Sequence, residues 1–235
     1  NTRELINSMV KSLYYGSIPA RLPTSVSHQH PTLSLAGRGS RAYFHWFADY
    51  LPRLQAAEAY AELTGKFPII LIPSNPPCFV ERSIDYMNIP EEHITEWDLN
   101  RTRVKSLLLP SSRQDSPEGL CCSRYSPRAL QWVGKRIKSN VEYNANEPEH
   151  ERLFLTRRGA STRRIVNEDE VLGILSEFDF EPVNLSKKSL EDQVQLFHNA
   201  EYVVSPHGAG LTNMIYAEDM NVLEMFGEEV VPLYY

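Results

Sequence analysis

The chain has 235 residues and a net charge of −6, with 42% hydrophobic and 23% charged residues. That length holds one large domain or two small ones with a real core, and the acidic balance excludes a general nucleic-acid-binding role. The three cysteines, Cys78, Cys121 and Cys122, form no C-x-x-C pair, and an odd count argues against a disulfide framework and for a reducing compartment.

No apolar run reaches membrane-span length. The longest, Phe67 to Ile72, is interrupted by Pro68, and no signal peptide is visible. The expected location is the cytoplasm, with peripheral association at the inner face of the membrane as a further expectation. The first residue is Asn1, and the last strand-like segment ends at Tyr235 with no helix after it, so the sequence reads as truncated at its C-terminus.

Residues 1–40, with Pro19, Pro23 and Pro31 among serines and threonines, read as loop carrying one strand. His28 and His30 form an H-x-H pair without a third ligand nearby, a thin basis for a metal site. From Tyr43 the spacing of Phe44, Phe47, Leu51, Leu54 and Ala61 predicts a helix, which Pro52 kinks or divides. "FPIILIP" reads as a buried strand, Phe79 to Met87 as a helix, and "HITEW" and "VKSLLLP" as strands. A polar loop, "SSRQDSPEGLCCSRYS", leads into a helix from Pro127 to about Ser139. Arg136 and Lys138 on that helix read as a solvated face, or less readily as a contact with an anionic membrane surface.

After the linker-like "NVEYNANEPEHE" the alternation becomes regular. "RLFLTRR" is a strand, and "NEDEVLGILSEF" a helix with Asn167 and Glu170 spaced like a capping box. "EPVNL" is a strand, "SLEDQVQLFHNA" a helix capped by Ser189, and "EYVVS" a strand. "PHGAG" is then a turn, "LTNMIYA" a helix and "NVLEMF" a strand. Strands alternating with helices over about 75 residues imply a parallel doubly wound sheet. The fold class is therefore α/β with two Rossmann-like lobes, residues 1–145 and 146–235, without internal repeats.

Three stretches carry chemistry. In "TRRGASTRR" four arginines, Arg157, Arg158, Arg163 and Arg164, follow a strand. Arginine forks match phosphate oxygens. The plainer reading is a basic loop paired with the acidic run Glu168-Asp169-Glu170. In "SPHGAGLTN" the glycines admit positive φ or close backbone approach, and a helix start supplies N–H donors. An anion, most simply a phosphate, would meet His207 and the backbone N–H groups of Gly208, Ala209 and Gly210; an ordinary tight turn is the alternative. Both stretches follow strands, so both face the crevice beyond the carboxyl ends of one sheet. Glu224, at the end of the next strand, is placed to accept from ribose hydroxyls, or is a surface glutamate.

The third stretch is "RAYFHWFADYLPRL". His45 and Asp49 are four apart and share a helix face, where either can deprotonate an acceptor hydroxyl. Tyr43 and Trp46 are candidates for a stacking wall, and Arg53 either bridges to a donor or holds the helix. No Walker motif, full dinucleotide fingerprint or Asp-x-Asp motif occurs, which disfavours a nicotinamide oxidoreductase.

Taken together, "YFHWFADYLPRL", "LFLTRRGASTRRIVNEDEV" and "YVVSPHGAGLTNMIYA…NVLEMF" resemble glycosyltransferase family 61 in order and spacing over roughly residues 40–235. That resemblance implies a fold of GT-B type and an inverting transferase working from a nucleoside-diphosphate sugar. It implies no metal or other cofactor, the nucleotide sugar being a substrate. The donor would lie in the second lobe, held by Arg157, Arg158, Arg163, His207, Gly208, Ala209, Gly210 and Glu224. The acceptor, a glycan, lipid-linked glycan or protein but not a nucleic acid, would lie in the first. Asp49 is the expected base, with His45 as its competitor or orienting partner. The alternative is a non-catalytic nucleotide- or glycan-binding subunit of an envelope-assembly complex.

Overall fold

The computed structural model describes residues 28–98, 102–111, 114–115, 124–143 and 150–227. Cys121, Cys122, the body of the expected linker and residues 1–27 and 228–235 lie outside them. Strands β1 (His28–Ser34), β2 (Ile69–Pro73), β3 (Ile94–Trp97) and β4 (Val104–Leu108) form one parallel sheet in the order β3-β2-β1-β4. This is the 3-2-1-4 order of dinucleotide-type sheets, whose switch point lies between β1 and β4.

The strand expected within residues 1–40 is thus the centre of a sheet rather than an appendage to a loop. Pro31 lacks an N–H, which disguises a central strand in sequence. The chain accommodates it with a register shift between His28 and Pro31 against β4. Thr32, Leu33 and Leu35 then point into buried space.

A short antiparallel pair, β5 (Gln114–Asp115) and β6 (Arg124–Tyr125), interrupts the expected polar loop. The second sheet holds β7 (Arg152–Leu155), β8 (Glu181–Val183), β9 (Tyr202–Pro206) and β10 (Asn221–Met225), all parallel, in the order β10-β9-β7-β8. Numbered within the lobe this is 2-1-3-4, the flavodoxin-type order, with its switch point between β7 and β9.

The helical path from Tyr43 changes pitch three times. It opens as α over Tyr43–His45, widens to π over Trp46–Tyr50, tightens to 3₁₀ over Leu51–Arg53 and continues as helix α1 over Leu54–Thr64. Pro52 falls in the 3₁₀ turn, where its missing N–H costs little. The wide turn brings Trp46 into the core beside Phe47. Trp46 is fully buried and its Nε1 donates to the buried Ser83 Oγ at 2.7 Å, so it is a core side chain and not a stacking wall.

Gly65, in the left-handed region at φ 70°, ends α1 with its N–H on the Ala61 carbonyl. Helices α2 (Cys78–Tyr86), α3 (Pro127–Lys138), α4 (Glu168–Ser176) and α5 (Leu190–Asn199) complete the layers. Ser126 caps α3, and Ser189 with Asp192 forms a reciprocal capping box on α5. At α4 the expected capping box is not formed. Asn167 instead donates through Nδ2 to Glu170 at 3.1 Å, so the two side chains satisfy each other and not the backbone.

One hydrophobic cluster joins residues of both sheets, from Leu33 and Phe47 through Val133 to Phe197 and Tyr216. At its centre lies the segment expected as a helix after "PHGAG", which is a 3₁₀ helix, Ala209–Tyr216. Gly134 of α3 sits so close to it that a Cβ there would lie 2.0 Å from the Ile215 carbonyl oxygen. A second bridge links α2 to α5. Arg82 and Tyr86 both bond the Glu191 carboxylate, Arg82 through Nε at 2.6 Å. Arg136 pairs with Glu58 and Lys138 with Glu218, each at 2.9 Å, so the helix-face cations already have protein partners. Among the described residues no helix is long and apolar enough to cross a membrane.

Candidate active site

Both switch-point strands end in the same kind of turn. After β1, Ser40 N–H bonds the Gly37 carbonyl with Gly39 at φ 95°. After β7, Ala160 N–H bonds the Arg157 carbonyl with Gly159 at φ 93°. Each turn needs positive φ at its third residue, which glycine adopts without steric cost.

A crevice of about 590 Å³ opens at the carboxyl ends of β7, β8 and β9. That size lies within the usual range of small-ligand pockets. Arg157, Arg158 and Gly159 form one wall, Asn184 to Lys187 the second, and Ser205, Pro206, Gly208 and Gly210 the third. Arg157 lies directly on the glycine turn, since a Cβ at Gly208 would fall 2.5 Å from its Nη1. A Cβ at Gly210 would fall 2.9 Å from Leu185 Cδ1. Neither glycine lies in the left-handed region; Gly208 is extended at φ 170°. Of the two uses expected for these glycines, close approach is the one realised, not a left-handed backbone.

Burial, and then the neighbouring charge of Arg163, push the Arg157 guanidinium below its ordinary pKa. Its charge is thus destabilised where it stands, the condition in which an incoming anion gains most. Arg163 itself is exposed and left-handed at φ 55°, a conformation that costs a non-glycine residue about 1 kcal/mol or more. Arg158 has a different fate. It pairs with Asp169 and lies 3.5 Å from Glu168, as the plainer reading of the basic loop expects. Glu168 is buried and also accepts from the Thr156 hydroxyl, which in turn accepts from Arg158 N–H. Arg158 therefore fastens the loop while Arg157 faces the crevice.

The 3₁₀ helix begins at Ala209, and its first turn leaves the Ala209 and Gly210 N–H groups without partners inside the helix. His207 turns toward β10. Its Nδ1 and Glu224 Oε1 are 2.6 Å apart, and its ring stacks on Phe226 at 5.2 Å. His207 and Glu224 are thus brought together as a pair at the ends of β9 and β10, beside the crevice rather than in its lining.

In the first lobe His45 Nδ1 and Asp49 Oδ2 are 2.7 Å apart. The His45 side chain is 50% exposed and that of Asp49 20%, so the imidazole is the outer member. A Cβ at Gly39 would fall 3.5 Å from the ring, and the Tyr50 hydroxyl donates to the Arg38 carbonyl, pinning the turn beside it. Arg53 holds the helix: it donates to the carbonyls of Asp49 and Ser34 and lies over the Tyr50 ring. π turns recur at functional sites, and here one supplies Asp49. The two halves meet where the Tyr43 hydroxyl, two residues before His45, donates to Asn213 Oδ1 at 2.6 Å. Asn213 Nδ2 reaches the Gly210 carbonyl at 3.1 Å.

Sequence reasoning missed the second wall. Asn184, Ser186 and Lys187 follow β8, and the signal was available in the lysine pair Lys187-Lys188 in the loop after that strand. It also missed Tyr43 and Asn213 as partners, which a separation of 170 positions conceals. Among the described residues no group of three or more His, Cys, Asp or Glu gathers as metal ligands.

Comparison with known proteins gives the family of the chain. The family model for glycosyltransferase 61 matches residues 43–223. The mouse EGF domain-specific O-linked N-acetylglucosamine transferase is 32% identical over 73 residues, 29% of this chain and 14% of that protein's length. The chain belongs to the glycosyltransferase 61 family.

Proposed function

We propose that this glycosyltransferase binds a nucleoside-diphosphate sugar in the second-lobe crevice and transfers the sugar, with inversion and without a metal, to a hydroxyl presented by the first lobe. The lobes, residues 1–145 and 146–235, would face each other in the GT-B manner. The observation that carries the reading is Arg157 on Gly208 at the β7–β9 switch point, a partly buried cation on a backbone anion seat. In this reaction the acceptor oxygen bonds the anomeric carbon as the bond to the diphosphate breaks, and the electron pair leaves with the diphosphate. Arg157, Arg163, Lys187 and the N–H groups of Ala209 and Gly210 would stabilise that growing charge. The His207–Glu224 pair would flank the nucleoside side.

The acceptor proton goes to the His45–Asp49 pair. Its geometry favours His45 Nε2 as the base, with Asp49 holding the Nδ1–H tautomer, the reverse of the assignment expected from sequence. The acceptor class remains a glycan, lipid-linked glycan or protein. The mouse relative's name, which places N-acetylglucosamine on EGF domains, supports a protein acceptor.

Calorimetric titration with UDP, GDP, CDP and ADP tests the crevice; binding of none of them overturns the reading. For the pair, His45→Ala is expected to lose at least about 100-fold in turnover with nucleotide affinity retained. If Asp49→Asn loses turnover while His45→Ala keeps it, Asp49 is the base. Slow donor hydrolysis without acceptor separates this reading from a binding-only subunit, which would show none.

A further inference from the structure

The Tyr43–Asn213 bond is the first link of a longer chain. Asn213 Nδ2 must face the Gly210 carbonyl, which only accepts, and Oδ1 accepts from the Tyr43 hydroxyl, so the amide has one orientation. Its Nδ2 then donates to Gln193 Oε1 at 2.9 Å and to the Gly210 carbonyl at 3.1 Å. That in turn orients Gln193, whose Nε2 donates to the carbonyls of Leu185 and Lys188, both at 3.2 Å. Asn213 and Gln193 are buried, so each amide would strand a polar atom if it flipped. The relay touches the glycine turn and the Asn184–Lys187 wall without lining the crevice itself. It starts on the helical turn that carries His45. The 3₁₀ helix in the middle is held from its other side by the close approach of Gly134 to Ile215.

We infer that Tyr43, Asn213 and Gln193 are positioning residues that set two walls of the donor crevice in register with the His45–Asp49 pair. The inference rests on the crevice being the donor site. A hydroxyl in one lobe fixes two amides in the other, and through them the loop beyond β8. Burial raises the Tyr43 phenol well above its ordinary pKa, so it keeps its proton and remains a donor.

The test compares the full chain with Tyr43→Phe and Gln193→Glu by amide hydrogen exchange and by titration with the nucleoside diphosphates above, well below any melting temperature. Tyr43→Phe keeps the ring packing and removes only the first donor. It is expected to speed exchange of peptides covering residues 184–188 and 208–213 by about tenfold, and to weaken nucleotide binding by about three- to tenfold. Gln193→Glu keeps the acceptor facing Asn213 and replaces the donor facing two carbonyls. It is expected to speed exchange at 184–188 while leaving 208–213 near wild type. Unchanged exchange at 184–188 in Tyr43→Phe, or unchanged nucleotide affinity, overturns the inference; a purely structural bond would lower the melting temperature alone. If the wild type binds no nucleoside diphosphate but Tyr43→Phe still loosens both segments, the coupling stands and the donor-site reading falls.

Discussion

Arg157 and Arg158 are adjacent in sequence and opposite in role. One is pressed against Gly208 with its charge destabilised by burial, and the other is held by Asp169 and Glu168. Arg157→Ala is therefore expected to weaken nucleoside-diphosphate binding by about 1–3 kcal/mol, the usual loss of a charge-assisted contact. Arg158→Ala should instead loosen the loop and leave most of the affinity. Titration of both variants checks this, and equal losses would mean that the loop and not the guanidinium matters. The sequence made the arginine loop and the glycine turn legible because both directly follow apolar strand runs. It could not divide the arginines, since which one meets a carboxylate depends on where α4 starts. Nor could it pair His207 with Glu224, because parallel strands set that juxtaposition across 17 positions.

Among the elements, strands and helices with ordinary capping chemistry were readable, and the departures were not. The run from Tyr43 to Thr64 has helical periodicity throughout, yet it passes through π and 3₁₀ turns before settling. Such changes of pitch follow from core packing of Trp46 against Ser83 and from Pro52, not from periodicity. The 3₁₀ helix Ala209–Tyr216 hid for the same reason: its neighbours, not its propensities, select the tighter winding. Gly134 marks this dependence. Gly134→Ala puts a methyl carbon on the Ile215 carbonyl oxygen, a contact that requires a backbone shift. It is expected to destabilise the protein by about 1–3 kcal/mol, although alanine is the better helix former. For a chain of this size that is roughly 2–4 °C per kcal/mol in Tm, read by calorimetry. A rise in Tm would show that α3 and the 3₁₀ helix separate at no cost.

For the molecule as a whole, the two sheets share one buried cluster and are bridged by α2 and α5 through Glu191. Burial pulls the Glu191 carboxyl upward, but bonds from Tyr86, its own backbone and Arg82 outweigh it and hold it below the ordinary glutamate pKa. Tyr86 is pushed up to about 12, chiefly by burial and then by Glu191. A depressed carboxylate pKa gives stability that is complete above the unfolded value and is lost as pH falls through the folded one. Calorimetry should therefore show a single transition. Its Tm advantage over Glu191→Gln should be full above about pH 5 and shrink as pH falls below about 4.3. Two transitions would mean the lobes unfold separately, and a pH-independent gap would assign Glu191 a packing role.

The central place of β1 has a further consequence, for synthesis. Thr32 pairs with Ile69 on one side and Leu107 on the other. The strand therefore leaves the ribosome about 75 residues ahead of its later neighbour, a wait of roughly 4–15 s at ordinary elongation rates. Tyr43 waits longer still for Asn213. Until Asn213 is made the aromatic turn Tyr43–Tyr50 lacks its second-lobe partner, so the nascent chain carries an incompletely covered apolar surface while its second half is synthesised. A chaperone acting on this protein during translation is therefore expected to engage residues 43–50.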